Sequence, residues 1–151
     1  MSELRLTAHE KDVFNWALDR IIPKGPRPGA GEIGLAGDLE EEMRPTPDLL
    51  TAVARAVAAL DARARARGAA DFLGLGEAER EAVMSEVEAS AEAFPPMLMV
   101  QTFSAYYRNP RVLELLGLEP RPPHPKGYEM PPNDLSLLDP VRKRGKLYRE
   151  G

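Results

Sequence analysis

Apolar positions recur along this chain at three- and four-residue spacing, in segments divided by prolines and glycines, which is the pattern of amphipathic helices. Thr7 followed by Glu10 reads as a capping box, so a helix is expected there, with Val13, Phe14, Ala17, Leu18 and Ile21 on its core face until Pro23 and the run PKGPRPGAG end it. Ile33 to Met43 carries a shorter helix, weakened by glycine, whose Glu40, Glu41 and Glu42 form a solvated acidic end. Thr46 and Pro47 start the longest one, with Leu50, Val53, Val57, Leu60 and Ala64 as its stripe up to Gly68. Glu77 to Ala93 reads as amphipathic, with Val83, Val87 and Phe94 on one side.

After Pro95 and Pro96 the segment MLMVQTFSAYY is apolar nearly all round and is expected to be a buried central helix. Asn109 then caps a helix with Pro110 at its first position, and Gly117 supplies its left-handed stop. From Leu118 the prolines of LEPRPPHPKGYEMPPND favour extended backbone, Asp134 caps a last turn through Leu135, Leu137 and Leu138, and the basic end VRKRGKLYREG follows. The expected architecture is all-α: a compact bundle of about five to six helices over residues 1–117, and a long proline-rich, mostly irregular C-terminal tail over 118–151.

A chain of 151 residues with 43% hydrophobic content is long enough to bury one core, and short for a cofactor fold plus a substrate site. A net charge of -4 argues against a nucleic-acid or anionic-membrane binder. With no cysteine, thiolate metal sites, iron–sulfur clusters, covalent haem attachment, cysteine nucleophiles and an intersubunit disulfide are all excluded. The N-terminal MSELRLTAHE shows neither an apolar signal region nor a twin-arginine pair, so a cytoplasmic location is expected, or a periplasmic one if a partner carries the export signal. No apolar run approaches the roughly 20 residues of a membrane span, so direct membrane insertion is not expected.

Candidate chemistry is sparse. His9 and His124 are the only imidazoles, and neither stands in a metal-ligand or catalytic spacing; His9 reads as a solvated first-turn residue and His124 as a loop histidine packed against prolines. No serine sits in a nucleophile elbow with a histidine base. Gly29, Gly31, Gly34 and Gly37 lack the preceding strand and the spacing of a dinucleotide loop, and read as loop or helix-packing glycines. No catalytic, cofactor-binding or metal-binding residue is therefore assigned. Phe103, Tyr106 and Tyr107 read first as core aromatics with hydroxyls at the rim. The tail, with Arg142, Lys143, Arg144, Lys146 and Arg149 interleaved with Leu138, Val141, Leu147 and Tyr148, resembles a strip that lies on another surface, the alternative being a tail wrapped on its own domain.

The succession LTAHEKDVFNWALDRIIP, PGAGEIGLAGDLE, FSAYYRNPRVLELLGLEPRPPHPKGYEMPP and LLDPVRKRGKLYR resembles the gluconate 2-dehydrogenase subunit 3 family, most specifically in YYRNPRVLELLG and the GY loop after it. That resemblance implies a small helical partner of a large flavin-dependent dehydrogenase of the glucose-methanol-choline type, which oxidises sugars, sugar acids or glycosides. FAD and the catalytic residues would then belong to the large subunit, with a cytochrome subunit as a further candidate partner. Members of the family often carry a twin-arginine export signal, a pattern from which this N-terminus departs. On this reading the partner-binding residues are Tyr106, Tyr107, Arg111, His124, Tyr128, Met130, Arg142, Arg144 and Tyr148. Two other classes stay open at this point: a stand-alone small-ligand binder or enzyme with a pocket around His124 and Tyr106, and a helical adaptor for some other protein.

Overall fold

The computed structural model describes residues 5–121, 127 and 129–145. The chain divides into two units, Met1–Arg121 and Pro122–Gly151. The described residues hold seven α-helices and two short 3-10 turns, and no strand.

In the first unit, α1 (Ala8–Ile21) starts where the capping box predicts: the Thr7 hydroxyl accepts from the Glu10 amide at 3.2 Å and the Glu10 carboxylate accepts from the Thr7 amide at 2.7 Å. Its buried stripe is Val13, Phe14, Ala17 and Leu18. The connection to α2 (Leu35–Met43) folds tightly against α1. Asp19 accepts from the Gly31 amide at 2.7 Å, and Asn15 Oδ1 accepts from the Ala36 amide at 3.0 Å, so side chains of α1 satisfy amides in the first turn of α2 and before it. A Cβ at Gly31 would collide with the Asn15 carbonyl oxygen, which makes this glycine a close-approach position.

Pro47 opens α3 (Pro47–Ala66), whose Leu50, Val53, Val57, Leu60 and Ala64 are buried as their spacing predicts. A 3-10 turn at Phe72–Gly74 leads to α4 (Glu77–Glu88), and α5 (Met97–Arg108) and α6 (Pro110–Leu115) follow. The amphipathic stretch thus stops as a helix at Glu88, short of the expected Ala93. Ser90 explains the stop: its hydroxyl donates to the Val87 carbonyl at 2.8 Å and accepts from the Glu92 amide at 3.1 Å, a local pairing that replaces helical hydrogen bonds. At the end of α6, Gly117 takes φ +72° while the Gly117 amide bonds Glu114 and the Leu118 amide bonds Leu113, both at 2.9 Å, closing the paired C-terminal motif that glycine favours.

Helices α1, α2 and α3 pack on one another, with α4 against α3 and α5 against α1 and α2. Phe14, Leu18, Leu35, Leu39, Leu60, Phe72 and Tyr106 fill the core between them, and Trp16 meets Phe72 edge-on at 4.9 Å. In the second unit, the Asp134 carboxylate accepts from the Ser136 amide at 3.0 Å and starts the 3-10 turn Leu135–Leu138, followed by the single turn α7 (Asp139–Arg142). Residues 129–145 are all exposed.

Three expectations change in this fold. The acidic end of α2 is not uniformly solvated, because Glu40 is buried and accepts from the Leu6 amide at 2.5 Å while pairing with Lys11 at 2.8 Å. His9 is a partly exposed first-turn residue as expected, but it is also paired: its Nε2 lies 2.9 Å from the carboxylate of buried Asp61, whose other oxygen accepts from the Phe72 amide at 2.9 Å. Finally, α5 is not buried all round.

Candidate interaction surface

Helix α5 follows from its own sequence: MLMVQTFSAYYR mixes strong helix formers such as Met, Leu, Gln, Ala and Arg with weaker ones and has no glycine or proline, and Asn109 ends it by turning its backbone to the extended region. Leu98, Thr102, Ala105 and Tyr106 face the core. Thr102 cancels its own polarity by donating to the Leu98 carbonyl at 2.7 Å. Tyr106 donates to the Pro28 carbonyl at 2.7 Å, tying the loop after α1 to α5, and burial pushes its phenol above the ordinary tyrosine range.

The opposite side is apolar and exposed. Met99, Phe103 and Tyr107 recur every four residues and form one ridge, with Val100 beside it, since positions four apart stack on one face at about 100° per residue. The exposures of Met99, Phe103, Tyr107 and Val100 are 58%, 41%, 46% and 59%, values that belong to surface positions and not to a core helix. Phe103 and Tyr107 stack with near-parallel rings 6.4 Å apart, and Tyr107 meets buried Tyr106 edge-on at 5.2 Å, so the ridge is braced against the core. The polar residues of α5 lie on its other flank, where Arg108 bonds Glu42 beside Gln101 and Ser104.

On one side of the ridge a groove of about 570 Å³ runs between α1, α4 and α5, with Ile21, Met84, Phe94, Pro95 and Pro96 in its walls. Phe94 stacks on core Phe14 at 5.9 Å, which holds that wall in place. Near Tyr107 a smaller hollow of about 340 Å³ is bordered by Pro23, Pro26 and Arg27.

Of the residues expected to bind a partner, Tyr107 and Arg111 are exposed, whereas Tyr106 is 2% exposed and serves the core through its ring and hydroxyl. Met130, Arg142 and Arg144 are exposed in the second unit, where Arg142 lies 3.3 Å from Asp139. His124, Tyr128 and Tyr148 lie outside the described residues. Met99, Val100 and Phe103 join the surface without having been among the expected contacts. Their signal in the sequence is the absence of any charged residue between Met97 and Tyr107.

The glycine-rich segment does not fit a phosphate. The amides of Gly31 and Glu32 point at Asp19 Oδ1, at 2.7 and 3.4 Å, so a carboxylate already holds the place an anion would need. Among the described residues no three His, Asp or Glu side chains gather as metal ligands, and no helix is long and apolar enough to cross a membrane.

The sequence profile of gluconate 2-dehydrogenase subunit 3 matches residues 8–118. The chain belongs to the gluconate 2-dehydrogenase subunit 3 family. The match runs from the first turn of α1 to just past α6, so the family's common part is the helical unit that carries the α5 ridge. Within this subunit 3 homologue, residues 119–151 lie beyond the matched stretch. No curated protein and no solved structure matches the chain.

Proposed function

We propose that this chain is a non-catalytic small subunit that binds and stabilises a large FAD-dependent dehydrogenase, one that oxidises sugars, sugar acids or glycosides. Family membership supports the subunit role, and the observation that carries the binding role is the bare apolar ridge of α5. Fully burying a side chain of this size is worth about 1.5–3 kcal/mol. Met99, Val100, Phe103 and Tyr107 are each about half exposed. Covering the four would therefore return roughly 3–6 kcal/mol before the cost of association, a contribution that other contacts of the interface have to supplement. The most contiguous exposed apolar strip on a folded protein is often a site of interaction.

The flavin belongs to the partner in this reading, and the chain contributes binding energy and not bond-making. A subunit that binds only the folded dehydrogenase stabilises it by mass action, which also favours flavin retention. A cytochrome subunit that receives the electrons is a further expected member of the assembly. The test is coexpression with the large dehydrogenase subunit from the same organism. The expected result is a complex whose flavin content and thermal midpoint exceed those of the large subunit alone; equal values with and without this chain would refute the stabilising role.

A further inference from the structure

We infer that the groove between α1, α4 and the α5 ridge receives an amphipathic helix of the large subunit, with a lysine or arginine of that helix set against Glu88; the inference rests on the function proposed above. The walls select a helix. Pro95 and Pro96 have no amide hydrogen, and the groove is faced mainly by Ile21, Met84, Phe94 and Phe103, so an extended segment lying there would find few partners for its main-chain groups. A helix arrives with those groups already paired and presents only side chains. The Met99, Phe103, Tyr107 row is itself a ridge of the kind that fits between side-chain rows of a second helix.

Charge at the rim gives the occupant its sign. Arg20 is already engaged, with Glu81 as its ion-pair partner and its guanidinium 5.8 Å from the Trp16 ring. On α4, Glu77, Glu86 and the nearby Glu92 also have arginine partners. Glu88, which borders the groove, is exposed and makes no ion pair among the described residues. The chain as a whole carries a formal charge of -4. A basic edge on the incoming helix is complementary to this rim.

With Met99 replaced by the photoreactive residue p-benzoylphenylalanine during coexpression, irradiation of the complex is expected to crosslink position 99 to a helical segment of the large subunit that carries Lys or Arg beside its apolar face. Phe103→Glu is expected to weaken the complex by about 30-fold or more, as loss of a central aromatic anchor does, while the free chain stays folded with its helical circular dichroism intact. Glu88→Lys is expected to weaken it about 3- to 10-fold at low salt and less at high salt.

Crosslinks to residues 122–151 of the same chain, to a second copy, or to an extended segment of the large subunit would overturn the inference. So would an intact complex that is indifferent to Phe103→Glu and Glu88→Lys, a result that leaves the proposed function standing. Failure of the wild-type chain to form any complex would overturn both.

Discussion

Tyr106→Phe isolates one atom that ties α5 to the loop after α1. The phenol donates to the Pro28 carbonyl at 2.7 Å across 78 positions of sequence, and the ring is 2% exposed. Phenylalanine keeps the ring, its edge contact with Tyr107 and its volume, so no cavity forms. What disappears is one hydrogen bond, at a carbonyl of the half-buried Pro28. A net bond of this kind is worth about 1 kcal/mol, and the partial loss of an acceptor's partner brings the total to about 1–2 kcal/mol. For a chain of this length that corresponds to a fall of roughly 3–6 °C in thermal midpoint. Urea unfolding followed by circular dichroism reads the free energy directly, with Tyr107→Phe as the control. That exposed neighbour is expected to change stability by less than about 0.5 kcal/mol. A Tyr106→Phe protein within about 0.3 kcal/mol of wild type, or a Tyr107→Phe protein that loses as much as Tyr106→Phe, would refute the assignment of that hydroxyl as a structural tie.

Three other perturbations test the scaffold behind the ridge. Burial raises the Glu40 pKa, but the Lys11 ammonium, the Leu6 amide and Arg5 outweigh it and hold the carboxyl below the ordinary glutamate range. The folded state therefore binds that proton less readily than the unfolded one, so Glu40 contributes stability above the ordinary glutamate pKa and loses it as pH falls through the lowered one. Acid titration of stability is expected to show a loss in that window that is smaller in Glu40→Gln, and identical acid limbs would contradict it. Asp61→Ala strands the Phe72 amide in the core and is expected to cost about 2–3 kcal/mol, while Asp61→Asn, which keeps an acceptor, costs less; chemical denaturation compares the two. Gly31→Ala drives a methyl into the Asn15 carbonyl, and a loss of about 1–3 kcal/mol is expected where an open site such as Gly25 tolerates alanine within about 0.5 kcal/mol.

The parts of this fold that could be read from sequence are those decided within a few residues. Thr7 with Glu10, Pro47, Asn109 with Pro110, and Gly117 each satisfy or terminate their own helix, so their meaning does not depend on the rest of the chain. Glu40 departs from expectation because a run of three glutamates looks solvated. Its helical phase points the other way: it follows Ala36 by four positions and stands next to Leu39, with Met43 completing the same buried face. His9 and Asp61 are 52 positions apart, and no local pattern announces such a pair. The apolar side of α5 that faces water was hidden for a related reason: with no charged residue between Met97 and Tyr107 the outside is weakly marked, and a core contact and a partner contact call for the same residues.

The decisive property of this chain is whether it is a subunit. Native mass spectrometry of the coexpressed pair measures this directly. The prediction is an assembly whose mass is that of the large subunit with its flavin plus this 16.6 kDa chain. A chain that is found only alone, beside a large subunit that is folded and fully loaded with flavin, would contradict it.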